Sequence, residues 1–192
     1  MGGVWRDAKW PGAGVDVPIH LYSLFSDLKS DWSKFFAEQP EVLAYWESLV
    51  DKHSLRDNIV LRTEYVESNW DERDQRHVIK LRRDDGTEFE HRANVIISAN
   101  GPLSKPTIPD LPGLETFGGQ KFHNLHWDDQ VDLRDKRVAV IGNGSSGIQL
   151  VVSARLTTRT TNPVRSFAVE MELTIHVPTM YSPELRRLRV FN

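Results

Sequence analysis

The sequence predicts an α/β protein in which buried parallel strands alternate with helices. Residues 138–141 form a short apolar, β-branched run that leads directly into a glycine-rich turn and a helical pattern, which is the order of a strand–turn–helix unit. Residues 93–99 form a second continuous apolar run, typical of a strand buried on both faces of a parallel sheet. Residues 40–53 carry apolar side chains at helical spacing. Together these three observations predict the fold class.

The helix over residues 40–53 is the clearest predicted element. Pro40 suits the first helical position, and Glu41 is favourable at the positive end of the helix dipole. The apolar stripe, which we expect to face the core, consists of Val42, Leu43, Trp46, Leu49 and Val50.

An antiparallel hairpin is predicted between this helix and the apolar run at 93–99. Strands are indicated over residues 58–64, 77–83 and 87–92. Residues 84–86, Asp-Asp-Gly, suit a hairpin turn because glycine accepts a positive φ. The sequence therefore predicts a hairpin inserted before a buried parallel strand.

The chain divides into three predicted parts. Residues 1–30 are rich in glycine, proline and aromatic residues and predict a structured loop rather than a regular helix. Four prolines between residues 102 and 112 indicate an extended linker. We therefore expect a first domain over residues 1–100, a linker with a motif-bearing loop over 101–135, and a second domain with an atypical tail over 136–192.

Composition excludes several classes of protein. The chain has 192 residues, a net charge of -3 and no cysteine. This charge argues against electrostatic capture of nucleic acid or of an anionic membrane, and the lack of cysteine excludes disulfides and thiolate sites. Neither a secretion signal nor a membrane-spanning run is evident, and no histidine spacing predicts a metal site. We expect a soluble cytoplasmic protein, and no protein partner is indicated.

The glycine turn, residues 142–147, fits the pattern Gly-x-Gly-x-x-Gly after a strand and before a helix. Gly142 permits the tight turn, Gly144 lets a pyrophosphate approach the backbone, and Gly147 allows close packing of helix on strand. Ser145 and Ser146 open the helix, whose N-terminus favours phosphate. The alternative is a tight strand-to-helix turn without a ligand.

The residue that recognises the ribose is left open by the sequence. Glu170 could accept a hydrogen bond from a ribose hydroxyl, whereas Arg159 or Arg165 could pair with a 2′-phosphate. The first would favour NAD and the others NADP.

Two further motifs stand out in the sequence. One is Phe117-x-Gly119-x-x-x-His123-x-x-x-Trp127-Asp128, and the other is Gly2-Gly3-Val4-Trp5 followed by Trp10-Pro11-Gly12 and Asp16. The first resembles the fingerprint of a known family, the Baeyer–Villiger monooxygenases, and the second resembles another pattern of that family, with Trp10 in place of the usual Phe or Tyr. With the glycine turn, the resemblance covers roughly residues 2–152.

The resemblance implies a two-dinucleotide-binding-domain, Rossmann-like flavoprotein that uses FAD and NADPH. Such an enzyme inserts one oxygen atom from O2 into a ketone, through a C4a-peroxyflavin, and releases an ester or lactone. An N- or S-oxygenating flavin monooxygenase is the alternative, and the Trp127-Asp128 ending disfavours it. A non-catalytic fragment or an NADP-binding pseudoenzyme is the alternative from another class.

The resemblance also implies roles for individual residues. Trp5, Asp16 and Tyr22 would lie by the FAD, where Asp16 could tune the electrostatics of the flavin and nicotinamide. His123 and Trp127 would lie in a hinge between the two nucleotide domains. The glycine-turn residues Gly142, Gly144, Ser145, Ser146 and Gly147 would hold NADP. By residue type alone, His123 is a loop histidine, Trp127 a core anchor and Asp16 a turn residue.

The chain also departs from the family pattern. In the family, a strand–GxGxxG–helix unit for FAD precedes the Gly-Gly-x-Trp motif, whereas here Met1 directly precedes Gly2. We therefore expect both dinucleotide-binding domains to be incomplete, FAD binding by the isolated chain to be weak or absent, and its stability to be low. After about residue 152 the resemblance ends, and we interpret the Thr- and Arg-rich tail as an unspliced or frame-shifted translation or a gene remnant.

Overall fold

The computed structural model describes residues 1–103, 105–133, 136–158 and 164–167. The chain divides into two compact units, Met1–Asp129 and Gln130–Asn192. Unit 1 contains α1 (Val4–Asp7), α2 (Gln39–Lys52), β1 (Thr63–Asp71), β2 (Arg76–Arg83), β3 (Glu88–Ala93) and the 3-10 helices Ile19–Leu21, Arg56–Asn58 and Asn124–His126. Unit 2 contains β4 (Val138–Ile141), α3 (Ser145–Thr158) and β5 (Val164–Phe167).

Helix α2 organises the core of unit 1. It has Pro40 in its first turn, Glu41 near its N-terminus and Lys52 in its last turn, an arrangement that suits the helix dipole. The predicted helix is confirmed, and its inner face buries Val42, Tyr45 and Leu49. The central cluster of buried apolar residues is Val15, Ile19, Ala37 and Val42.

The chain that precedes α2 folds back on itself. Gly14 forms an isolated antiparallel bridge with Glu38. Backbone hydrogen bonds join Val15 N to Ala37 O at 3.0 Å and Ile19 N to Phe35 O at 2.9 Å. The predicted loop of residues 1–30 is therefore held by contacts with residues 35–38, and it also contains two short helices, α1 and Ile19–Leu21.

The predicted hairpin is confirmed as part of a three-stranded antiparallel sheet in the order β1-β2-β3. Strand β2 pairs with both neighbours, with Leu81 opposite Tyr65 and Phe89. A bulge between Tyr65 and Glu67 interrupts the β1–β2 register. Ile79 is the buried residue of the central strand.

The prediction of a strand over residues 58–64 is wrong for most of that range. Residues 56–58 form a 3-10 helix, and β1 begins only at Thr63. Arg62 has a φ of 53°, and this left-handed conformation breaks an extended chain immediately before the strand. The apolar side chains of Val60 and Leu61 are 69% and 57% exposed.

The prediction of a buried parallel strand over residues 93–99 is also wrong in this structure. Ala93 ends the antiparallel strand β3, and residues 94–99 are not in a strand. Val95 and Ile97 are 71% and 85% exposed. A parallel strand needs a hydrogen-bonding neighbour, and none of the strands in the described ranges pairs with these residues.

Unit 2 is a parallel strand–helix–strand unit. Strands β4 and β5 pair in parallel, with Val138 opposite Val164 and Ile141 opposite Phe167, and α3 connects them. The predicted strand, turn and helix are confirmed. Of the residues considered for ribose recognition, Arg165 lies in β5, whereas Arg159 and Glu170 lie outside the described residues.

Helices α2 and α3 have 14 residues each. Throughout the part of the chain that the structure describes, no helix combines the length and the apolar character needed to cross a bilayer.

Candidate functional site

The Gly-Gly-x-Trp motif forms a turn that places α1 on α2. Gly2 has a φ of 105°, in the range that favours glycine. A Cβ on Gly2 would overlap the end of the Leu43 side chain and lie 3.3 Å from Cβ of Arg6. Gly3 is the residue before the helix, with a φ of 53°. The two glycines therefore allow a one-turn helix to start tightly against α2, where the sequence predicted only a loop.

This turn positions Trp5 against Tyr22. The indole Nε1 of Trp5 donates a hydrogen bond of 3.0 Å to the hydroxyl of Tyr22. The two rings meet edge to face, with centroids 5.7 Å apart and an angle of 89°. Gln39 Nε2 donates to the carbonyl of Trp5. Two of the three residues predicted to lie by the FAD are thus in direct contact with each other.

The Trp5–Tyr22 pair continues into a row of aromatic side chains on α2. Tyr22 meets Trp46 with ring centroids 6.4 Å apart, and Trp46 meets Tyr45 at 5.2 Å. Tyr45 in turn meets Trp32 at 5.3 Å. Contacts of this geometry add to the free energy of burial, so the pair has a rigid apolar support.

Asp16 is exposed and lies between the buried residues Val15 and Ile19. Its buried neighbours anchor this part of the backbone in the core. Its predicted place beside the FAD stays a prediction.

The fingerprint loop, residues 117–128, is held by local contacts. His123 precedes the 3-10 helix Asn124–His126, called the fingerprint helix below, and its Nδ1 accepts a hydrogen bond of 3.2 Å from the N–H of Leu125. The rings of Phe122 and Trp127 meet edge to face at 5.3 Å. His123 and Trp127 therefore flank the same short helix.

Steric contact with a neighbouring ring explains the glycine at the start of the fingerprint. The ring of Phe117 covers Gly119, where a Cβ would lie 2.6 Å from the ring. Lys121 Nζ donates to the carbonyl of Leu114 at 2.6 Å. These contacts fold the loop back on itself, and they explain why a glycine follows the phenylalanine at a spacing of two.

The environment of His123 favours its neutral form. Partial burial, together with the neighbouring ring of His126, lowers the pKa of His123. The ring centroids of the two histidines are 6.5 Å apart. Because Nδ1 accepts a hydrogen bond, the neutral ring carries its proton on Nε2. The geometry suits a helix cap and presents an N–H donor on the other side of the ring.

The two signature motifs of unit 1 meet in space. Helix α1, which carries Trp5, contacts the fingerprint helix. Sequence reasoning assigned each motif separately to the same family but gave no reason for this contact. The predicted hinge role of His123 and Trp127 stays a prediction.

The glycine turn of unit 2 leads from β4 into α3 through tight backbone contacts. Gly142, directly after β4, has a φ of 110°. A Cβ on Gly147 would overlap the carbonyl oxygen of Gly142 and lie 3.1 Å from its carbonyl carbon. Ile148 N donates to Gly144 O at 3.1 Å as the first helical bond. The N–H groups of Ser146 and Gly147 precede this bond, at the helix end that attracts anions.

Space around the central glycine is open. A Cβ on Gly144 would meet nothing within 4 Å. Within the described residues, the fold itself therefore does not require glycine at this position, whereas the close approach of a ligand would.

Sequence reasoning missed one buried charged group, Asp27. Its side chain is 4% exposed and pairs with Lys52 and His53 at the end of α2. Lys52 and His53 lie 25 and 26 positions after Asp27 in the sequence, so no local pattern links them to it. Only the tertiary structure shows this cluster.

Comparisons with known proteins give the family. The model of the flavin-binding monooxygenase-like family matches residues 19–164. A Baeyer–Villiger monooxygenase of Streptomyces coelicolor is 42% identical over 153 residues, and one of Pseudomonas aeruginosa is 41% identical over 151. These matches cover 80% and 79% of this chain but only 28% of each relative. The chain therefore spans less than a third of the length of these relatives.

Solved structures of monooxygenases also match this chain. An ε-caprolactone-bound cyclohexanone monooxygenase matches with a TM-score of 0.68 and 35% identity, over 79% of this chain and 30% of the other. The OTEMO complex with FAD and NADP matches with a TM-score of 0.70 and 29% identity, over 87% and 32%. The predicted oxidoreductase class and the cofactor pair are thereby confirmed at the level of the family. The predicted resemblance to Baeyer–Villiger monooxygenases is confirmed, and the chain belongs to the flavin-binding monooxygenase-like family.

Proposed function

We propose that these residues serve a FAD- and NADPH-dependent monooxygenase of the Baeyer–Villiger type, which inserts one oxygen atom of O2 into a ketone and releases an ester or lactone. The observation that carries this proposal is the contact between α1 and the fingerprint helix. It brings two motifs of one enzyme family together in one unit. The Trp127-Asp128 ending of the fingerprint supports the ketone reaction over N- or S-oxygenation.

NADPH would bind at the glycine turn. Gly142 and Gly147 supply a tight turn with the helix end close to the strand, and the open space at Gly144 suits a pyrophosphate. Ser145 and Ser146 lie in the first turn of α3, where hydroxyl and N–H groups can donate to phosphate oxygens. The donor set fits a dinucleotide.

FAD would lie beside Trp5, Tyr22 and Asp16. The flavin, once reduced by NADPH, supplies the activation of O2. The Trp5–Tyr22 pair is held by its hydrogen bond and by α2, so it offers a fixed apolar wall. The exposed carboxylate of Asp16 would add a negative charge near the ring system and resist the approach of other anions. The features that would suit FAD here are an aromatic surface and a nearby carboxylate.

His123 and Trp127 would couple the two nucleotide domains rather than perform bond chemistry. The neutral His123 caps the fingerprint helix through Nδ1, and Trp127 packs on Phe122. A short helix fixed at both ends can transmit a displacement without unfolding. On this proposal, residues 1–100 belong to the FAD-binding domain, 101–135 to the linker and 136–192 to the NADP-binding domain.

The substrate would be a small ketone, with O2 as the second substrate. The support is a neighbour that binds ε-caprolactone and a second that binds cyclohexanone. The residues that distinguish one ketone from another are not assigned.

A graft tests the proposal. The matching 153 residues of the Streptomyces coelicolor relative are replaced by those of this chain. The chimera should bind FAD, oxidise NADPH and convert cyclohexanone or another ketone to the lactone or ester, detected by gas chromatography. Trp127→Ala should lower turnover, whereas Trp70→Ala on the exposed face of β1 should not. A chimera that holds FAD and oxygenates amines or thioethers, but yields no ester from any ketone of a cyclic and linear panel, would contradict the proposal.

A further inference from the structure

Asp27 is a buried carboxylate with three side-chain donors. Lys52 Nζ donates to Oδ1 at 2.6 Å, His53 Nε2 lies 3.0 Å from the same oxygen, and Ser26 Oγ donates to Oδ2 at 2.7 Å. Its own side chain is 4% exposed, although those of Lys52 and His53 are 62% and 48% exposed. The carboxylate is therefore inserted at the C-terminal end of α2, with the more exposed Lys52 and His53 side chains on its solvent side.

The backbone around Asp27 is tied to the same helix. Tyr45 donates its hydroxyl proton to the carbonyl of Asp27 at 2.9 Å and accepts the N–H of Leu24 at 2.8 Å. Asp27 N donates to Leu24 O at 3.0 Å. Residues 22–28, called the Asp27 loop below, are thus fixed to α2 at its middle and at its end.

The Asp27 loop begins with Tyr22, the hydrogen-bond acceptor of Trp5. Tyr22 itself follows the 3-10 helix Ile19–Leu21, packs against the central apolar cluster and meets the ring of Trp46 edge to face at 6.4 Å. The polar anchors of the loop lie on Asp27 and Leu24. Because a carboxylate with three donors is a stronger anchor than a neutral contact, the path of the loop depends chiefly on Asp27.

We propose that Asp27 is a positioning residue that holds the Asp27 loop on α2 and thereby keeps Tyr22 in hydrogen-bonding contact with Trp5. The part of this inference that concerns the FAD rests on the proposed function, since Trp5 and Tyr22 are the aromatic residues proposed to flank the flavin. Asp27 itself touches neither cofactor nor substrate in this role.

The test reads the Trp5 side chain directly, without any cofactor. The protein, which has six tryptophans, is labelled with 5-fluorotryptophan, and its 19F NMR resonance for Trp5 is assigned by its loss in Trp5→Phe. Tyr22→Phe defines the chemical shift of a Trp5 indole that lacks its acceptor. In Asp27→Asn, the Trp5 resonance should move most of the way to that position, while the resonance of Trp70 on β1 stays in place.

Asp51→Asn is the matched control. Asp51 lies at the same end of α2 and forms an ion pair with Arg56, so its loss removes a carboxylate without touching the Asp27 loop. The Trp5 resonance of this variant should be unchanged. Asp27→Glu, which keeps the charge, should restore the wild-type shift at least in part, a rescue that loss of packing alone does not predict.

An Asp27→Asn protein that remains folded and keeps the wild-type Trp5 resonance would overturn the inference. If Asp27→Asn does not fold, the double variant Lys52→Met and His53→Leu decides, because it removes two of the three donors and leaves the carboxylate. An unmoved Trp5 resonance in that variant overturns the inference equally. Because no flavin is used, these outcomes do not depend on the graft, and failure of the graft leaves them intact.

Discussion

Gly2 and His123 each fix a local path of the backbone at a signature motif. Gly2 has a φ of 105° and lies against Leu43, so that α1 starts on the surface of α2. His123 accepts the N–H of Leu125 and begins the fingerprint helix. In both motifs a residue that belongs to a family signature has a structural role, because it sets the path of the backbone.

Gly2→Ala should destabilise unit 1. A left-handed backbone conformation costs a residue with a Cβ about 1–2 kcal/mol, and displacement of Leu43 adds to this cost. We expect a loss of about 1–3 kcal/mol in the free energy of unfolding, measured by urea denaturation monitored by tryptophan fluorescence. Gly118→Ala is the control, since a Cβ there meets nothing within 4 Å and should change stability by less than about 0.5 kcal/mol.

His126→Gln should raise the pKa of His123 towards its ordinary value. Burial lowers the pKa of His123 first and the charge of His126 lowers it further, so removal of His126 takes away the second cause only. NMR titration of the imidazole Cε1–H measures the change. His91→Gln on β3 is the control, and an unchanged pKa in His126→Gln would contradict the assignment of the cause.

The same lowered pKa gives the direction of a pH effect on the fingerprint helix. The folded state binds a proton at His123 less readily than the unfolded state does. The contribution of neutral His123 is therefore complete above the unfolded pKa, about 6.5, and is lost as the pH falls below it.

At the level of secondary-structure elements, two glycines of the turn between β4 and α3 have different roles: one is needed for folding, and the other leaves space for a ligand. Gly147 is required by the packing of α3 on β4, because its Cα lies against the carbonyl of Gly142. Gly144 faces open space. Packing within the fold therefore requires a glycine at position 147 but not at position 144.

Gly144→Ala and Gly147→Ala should give different results. Gly147→Ala introduces a clash with backbone atoms and should destabilise unit 2 by about 1–3 kcal/mol. Gly144→Ala should cost less than about 1 kcal/mol of stability but weaken NADPH binding at least about tenfold, or 1.4 kcal/mol, because the added methyl group blocks the pyrophosphate. Circular-dichroism melting and titration of NADPH fluorescence measure the two effects. Equal loss of affinity and stability in both variants would argue against a phosphate at this turn.

Elements with local signals could be predicted from the sequence. The Pro40–Glu41 start of α2, the Asp-Asp-Gly hairpin turn and the glycine turn each depend on neighbouring residues, and the structure contains all three. The run at 93–99 has the composition of a buried strand, but its state depends on partner strands, which composition does not specify.

The candidate site divides in the same way. The family resemblance marked Trp5, Tyr22 and His123, whereas the contact between Trp5 and Tyr22 and the burial of Asp27 arise from tertiary packing. Arg62 is a further feature that could not be predicted, because no sequence pattern indicates a positive φ at an arginine.

Across unit 1 as a whole, many carboxylates have lowered pKa values, and each of these favours the folded state less as the pH falls. Several accept hydrogen bonds or pair with cations that lower their pKa values, and these are Asp7, Asp27, Asp31, Glu41, Asp51, Asp71, Asp85 and Glu88. Most are exposed, so solvent screens their pairs. Asp27 is the buried one of this group, with its pKa held well below the usual range by Lys52, Ser26 and His53.

Acid should therefore destabilise unit 1 through Asp27. Its folded pKa lies below the unfolded value, so its contribution is present above about pH 4 and is lost as the pH falls further towards the folded pKa. Asp27→Asn should be less stable than the wild type at pH 7 and should show a shallower loss of stability between about pH 4 and pH 3. Urea unfolding at a series of pH values measures both slopes, and parallel slopes would contradict this role.

The contact between α1 and the fingerprint helix also has a kinetic consequence. The Trp5–Tyr22 bond closes a segment of 17 residues, whereas α1 and the fingerprint helix are separated by at least the 117 positions from Asp7 to Asn124. Loop-closure entropy makes the longer closure costlier by about 1.7 kcal/mol. We therefore expect the aromatic pair to form on α2 first during folding, and the fingerprint helix to dock afterwards on the surface formed by α1 and α2.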